Sequence, residues 1–349
     1  MAGNIPPAPG TGFGNVPCTV DAMRVVITGA SAGIGRASAV EFGRLGARVA
    51  LLARGDDGLE GAREDVEAAG GKALAITCDV ADRDQVETAA SLVEQAWGGI
   101  DIWVNNAMAT IFSPVMDIPP EDFKRVTEVT YLGAVWGTRA ALARMLPVNA
   151  GHVVQVGSAL AYRSIPLQSA YCGAKSALRA FTDSLRSELD RMKSDVRVTH
   201  VVLGAFNTPQ FDWARTTVPR KPRPVGTPYQ PEIAARAIVK AALYPKREVY
   251  VGWGAVQAVV GTMFFPGLLD RYLARKAWKG QLGSESINLA SRKDNLHSAL
   301  EGDFGAHGRF DREAKRTSLV TKAGANPRTL AYLGVATLAL LSIGLYRRR

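Results

Sequence analysis

Residues 24–35 read Arg24-Val25-Val26-Ile27-Thr28-Gly29-Ala30-Ser31-Ala32-Gly33-Ile34-Gly35. A short apolar run ends in a turn with three glycines. From Ile34 onward, apolar residues recur at helical spacing through Ala37, Val40, Phe42 and Leu45. Glycines so placed let the backbone turn tightly and come close to a pyrophosphate. The helix that follows aims its free N–H groups and positive dipole end at that anion. The stretch therefore predicts strand, phosphate-binding turn and helix. Gly29, Ser31, Gly33, Ile34 and Gly35 are its candidate cofactor contacts.

The same rhythm continues outward. Apolar runs at 48–52, 73–77, 100–104, 152–156 and 196–202 read as strands, and 56–69, 82–97, 121–146 and 173–192 read as helices. Strands with near-continuous apolar character, alternating with helices, are buried on both faces in a parallel sheet. The expected fold is a doubly wound, Rossmann-type α/β domain with helices on both faces, plus a C-terminal apolar helix. Residues 1–22 read as a flexible arm and 23–279 as the catalytic domain. Within it, 207–231 read as a proline-rich lid and 253–279 as an apolar and basic extension. Residues 280–328 read as a linker, and the uncharged stretch 329–346 as a transmembrane helix.

Further motifs follow the glycine turn in order: Asp79-Val80, Asn105-Asn106-Ala107, Ser158, and Tyr171-Cys172-Gly173-Ala174-Lys175 at a helix start. The chain resembles the short-chain dehydrogenase/reductase family over about residues 22–250. The resemblance implies that Asp79, Val80, Asn106, Ala107 and Thr208 contact the cofactor, and that Lys175 holds its nicotinamide ribose. Tyr171 and Lys175, four apart on a helix, share one face. A cation beside a phenol favours the phenolate and fits Tyr171 for proton transfer to or from a substrate oxygen. Ser158 is expected to hydrogen-bond that oxygen. Thr130 stands where the family carries an Asn that fixes a relay water, and its hydroxyl is the candidate replacement.

At the end of the second strand an acidic residue would accept from an adenosine ribose 2′-OH. Here Ala53-Arg54-Gly55 stands instead. Arg54, helped by Arg36 and Ser31, fits a 2′-phosphate, so NADP(H) is expected in preference to NAD(H). The expected activity is hydride transfer between nicotinamide and a lipophilic carbonyl or alcohol substrate. A non-catalytic NADP(H)-binding sensor on the same fold is the alternative.

The 349 residues carry a formal charge of +10, unevenly: residues 1–210 are net −3 and residues 211–349 net +13. The basic residues flank apolar stretches rather than a nucleic-acid module, which argues against nucleic acid and for an anionic membrane surface. Three scattered cysteines and four histidines give no disulfide framework and no metal site. The enzyme is expected to be membrane-associated, with its catalytic domain on the cytoplasmic side, and possible as a homo-oligomer.

Overall fold

A computed structural model describes residues 23–324 together with 326, 327 and 329. Its centre is β1 (Arg24–Thr28), followed by α1 (Gly33–Gly43), β2 (Arg48–Ala53), α2 (Asp56–Ala68), β3 (Lys72–Thr77) and α3 (Arg83–Trp97). Next come β4 (Ile102–Asn105), the two-residue β5 (Ile111–Phe112), α4 (Pro120–Thr127), α5 (Gly133–Met145), β6 (His152–Ser158), α6 (Ser169–Arg191) and β7 (Arg197–Leu203). After these lie α7 (Gln210–Trp213), β8 (Arg215–Thr216), β9 (Arg220–Pro222), α8 (Pro231–Leu243) and β10 (Glu248–Val251). The described chain closes with α9 (Trp253–Phe264), α10 (Pro266–Gly280), β11 (Leu282–Ser286) and α11 (Leu319–Ala323).

Seven strands form one parallel sheet in the order β10-β7-β6-β4-β1-β2-β3. Side chains alternate across each strand, so the apolar runs feed two cores. Val25, Ile27, Val49 and Leu51 pack with Phe42 of α1 and Ile238 of α8 on one face. Val26, Ala50, Leu52 and Trp103 pack with Met145 of α5 on the other. Strand order reverses beside β1, between β2 and β4, and a crevice opens there at the carboxyl ends of the strands.

The structure refines four of these readings. The helix read over 121–146 is two helices joined by a π-turn at Glu128–Leu132. The Thr130 hydroxyl, inside that turn, donates to the Ala109 carbonyl at 2.9 Å and accepts from the Ala109 N–H at 2.9 Å. The lid contains α7, β8 and β9, with β8 paired to β5 and β9 to β11. Of the aromatic residues in and beside it, Phe206, Phe211 and Tyr229 are buried and stack among themselves and their neighbours, while Trp213 lines the crevice. Third, 253–279 forms two helices, α9 and α10. Last, 280–328 is no free linker: it carries β11 and α11, and residues between them dock on the domain. Backbone carbonyls and N–H groups, which every residue supplies, make much of that docking, so its polar composition concealed it.

The arm 1–22 lies outside the described residues, as does the apolar stretch 329–346 apart from Thr329. Among the described residues no helix is long and apolar enough to cross a membrane.

Candidate active site

The glycine turn forms one edge of the crevice. Gly29 and Gly33 have φ of +65° and +58°, a region that disfavours residues with a Cβ. A Cβ on Gly29 would lie 2.8 Å from the Ala107 Cα, and one on Gly35 would lie 2.1 Å from the Gly29 carbonyl oxygen. Side chains are therefore excluded where α1 begins. Thr28 ties the turn to the end of β4, its hydroxyl accepting from the N–H groups of Asn106 and Ala107, both at 3.0 Å. The Asn106 amide donates back to the Thr28 and Gly29 carbonyls at 3.0 and 3.1 Å.

Gly29, Ser31, Gly33 and Ile34 line the resulting cleft, with Asp79 and Val80 after β3, Asn106 and Ala107 after β4, and Thr208 after β7. Gly35 lies under the turn and shapes it. Asp79 is paired with Arg125. Arg54 also lines the cleft, and its guanidinium donates to the backbone carbonyls of Asn295 and Leu296. Arg36 is a correction: its side chain is buried and paired with Asp65 of α2 and with Asp303, so it does not reach the cleft. The nearby acids are also engaged, Asp56 by the Thr77 hydroxyl and Asp57 by the Gly302 N–H. A glycine cradle that any Cβ would fill, a helix N-terminus and one cation at the end of β2 fit a dinucleotide.

Tyr171 lies in the first turn of α6 with Lys175 one turn on. Lys175 is 2% exposed, and its Nζ donates to the Val156 carbonyl at 2.7 Å and sits 5.8 Å from the Tyr171 ring centroid. Ser158 ends β6, where its Oγ accepts from the Leu160 N–H at 3.1 Å. Burial raises the Tyr171 phenol above its ordinary pKa, and the hydrogen bond with Ser158 draws it partly back. Burial pulls Lys175 down to about 7. The expected phenolate-favouring cation is therefore outweighed by desolvation, which favours the protonated phenol.

Thr130 does not join these groups as a proton relay. It is fully buried and its hydroxyl proton goes to Ala109, so it positions the β4–α4 loop. Sequence reading passed over His200, which is fully buried on β7 and fits only because Gly157 lacks a Cβ; one there would lie 2.1 Å from His200 Nε2. Burial, with Lys175 among the nearby cations, pushes the imidazole down to about 3, so it adds no charge beside the lysine.

The short chain dehydrogenase family model matches residues 23–218. The chain belongs to the short-chain dehydrogenase/reductase family. The uncharacterized oxidoreductase YxnA of Bacillus subtilis (strain 168) is 34% identical over 269 residues, 76% of this chain and 75% of that protein. A metagenomic short-chain oxidoreductase solved with NADP superposes with a TM-score of 0.56 at 28% identity, covering 66% of this chain and 97% of its own. An NAD+-bound xylitol dehydrogenase gives 0.51 at 31% identity, covering 53% and 71%. This short-chain dehydrogenase/reductase is thus an oxidoreductase by family, and its structural relatives bind nicotinamide cofactors.

Proposed function

We propose that the protein is an NADP(H)-dependent oxidoreductase that interconverts a lipophilic carbonyl and its alcohol. The grouping carries the reading: Tyr171 hydrogen-bonds with Ser158, its ring centroid stands 5.8 Å from the Lys175 ammonium, and its protonated phenol is the form that gives a proton to a substrate oxygen. A bound nicotinamide supplies the hydride. Tyr171 gives its proton to the substrate oxygen as charge develops there. Ser158 donates a hydrogen bond to the same oxygen. Lys175 orients the nicotinamide ribose. Arg54, with no free acid beside it, favours a 2′-phosphate over a bare hydroxyl. The test is turnover of a panel of polar and lipophilic ketones, aldehydes and alcohols with each cofactor. Oxidation of NADPH faster than NADH, best with lipophilic carbonyls, is expected. Dinucleotide binding without turnover of any member would favour the sensor reading, which the engaged Thr130 hydroxyl supports.

A membrane surface is the proposed source of such substrates. Phe264, Phe265, Leu268 and Tyr272 of α9 and α10 are 44–65% exposed. Beside them stand Arg271, Arg275 and Lys276, which form no ion pairs among the described residues, and α9 packs on the Ala159–Ala161 turn that follows Ser158. Aromatic side chains beside cations suit an anionic bilayer surface. Protein shortened to residue 325 is expected to sediment with phosphatidylserine vesicles at low salt and to leave them at high salt. A shortened protein that stays in the supernatant at low salt would refute this.

A further inference from the structure

We propose that residues 294–311 belong to the dinucleotide site, as a strap that closes over the adenosine half of the cofactor and sets the rate at which it leaves. The proposal rests on the dinucleotide-binding reading above. The strap lies beyond the part of the chain that the family model matches.

Two buried side chains anchor its ends. Leu296 is fully buried in the core on the Leu52 and Trp103 face of the sheet. Phe310 is buried edge-on against Phe211, with ring centroids 5.7 Å apart. Between these posts the chain crosses the mouth of the cleft. Arg54 donates to the Asn295 and Leu296 carbonyls, and Arg125 donates to the latter at 3.1 Å. The Gly302 N–H donates to Asp57 at 2.7 Å, and Asp303 pairs with Arg36. The Phe304 ring stands edge-on to Trp213 at 4.8 Å. At the far side the Gly33 N–H of the glycine turn donates to the Gly305 carbonyl at 3.0 Å. Asn295, Ala299, Leu300, Gly302 and Phe304 thus line the cleft opposite Arg54 and Gly58.

The span between the posts is exposed on its outer side. It is held by one ring pair, a few hydrogen bonds and side-chain pairs at its edges, Asp303 with Arg36, His307 with Glu232 and Arg309 with Asp212, rather than by apolar packing. Such a span can lift while Leu296 and Phe310 stay seated, a local opening far below global unfolding. A dinucleotide bound beneath it leaves only when it lifts, so opening gates exchange.

A crosslink tests this directly. A Cβ on Gly55 would lie 3.3 Å from the Ala299 Cβ. That is close to the roughly 3.5–4.5 Å spacing of a disulfide. The double variant Gly55→Cys/Ala299→Cys is loaded with NADPH, oxidised, and mixed with excess NADP while bound-NADPH fluorescence is followed. Release is expected to slow at least about tenfold and to recover on reduction, since the gate is closed only while the crosslink lasts. An unchanged rate in the crosslinked protein overturns the proposal. So does a crosslink that forms only in empty protein, because strap and cofactor would then compete for one place. Phe304→Ala, which adds no cysteine, is expected to speed release by about two- to tenfold through loss of the ring pair. A parental release rate in that variant also overturns the proposal. Failure of the parent protein to bind either NADPH or NADH would instead overturn the dinucleotide reading itself, and the strap with it.

Discussion

Tyr171→Phe is expected to lower kcat for carbonyl reduction by about 10²–10⁴-fold, the range that a positioned proton donor contributes, and to leave the Kd for NADPH unchanged. The substitution removes one oxygen and keeps the ring. That ring packs against the core cluster that contains Trp103 and Ala170, and it faces the Lys175 ammonium, contacts that Phe preserves. Residues that line the cleft, from Gly29 to Thr208, are untouched. Loss is therefore confined to the proton and to the hydrogen bond with Ser158. Steady-state kinetics and a fluorescence titration of NADPH separate the two parameters. Undiminished turnover would sink the assignment of Tyr171 as donor. A weakened Kd alongside normal turnover would make the residue a binding group.

Local features were the legible ones. The glycine turn declared itself because strand, turn and helix are contiguous and because Gly29 and Gly35 leave no room for a Cβ. Tyr171 and Lys175 were legible as a pair because one helical turn separates them. What stayed hidden is made by distant chain segments. Arg36 looked like a phosphate ligand from its place after the turn, yet its partners Asp65 and Asp303 lie 29 and 267 residues away. The strap meets Arg54 across 241 residues through backbone carbonyls, which leave no mark in a side-chain pattern. Packing also sorts the aromatic residues around the lid: Phe206, Phe211 and Tyr229 turn inward, while Trp213 lines the cleft. The basic excess divides similarly. Arg215, Arg223 and Arg309 are matched by acids within the domain, while the cations of α10 remain beside its exposed aromatic residues.

The π-turn shows how a site residue can change its role without changing its place. The Thr130 hydroxyl is held on both sides by the Ala109 backbone, so the loop after β4 keeps its position while the hydroxyl proton is unavailable to a relay. The proton that restores Tyr171 between turnovers therefore does not come from the Thr130 hydroxyl.

Lys175→Met is expected to stabilise the cofactor-free protein while lowering kcat by about 10²-fold or more, through loss of the ribose-orienting contact and of the cation beside Tyr171. Burial alone pulls Lys175 from 10.5 to about 7. Below pH 7 the lysine is charged in both the folded and the unfolded chain, and the whole cost of burying that charge falls on the fold. Between pH 7 and 10.5 the unfolded chain binds the proton and the folded one does not, so wild-type stability rises with pH across this window. Above 10.5 the group is neutral in both states. One pKa unit corresponds to about 1.4 kcal/mol, which caps the gain from removing the charge at roughly 4–5 kcal/mol below pH 7. Met matches the length of the stem, but the Val156 carbonyl loses a donor, an offset of about 1–3 kcal/mol. A net gain on the order of 1–3 kcal/mol at pH 6 is expected, shrinking and then reversing toward pH 10 as the wild type recovers. Denaturant unfolding of both proteins at several pH values measures this difference. A difference that stays constant with pH would show that Lys175 is not buried at the cost of its charge, and that a counter-charge compensates it.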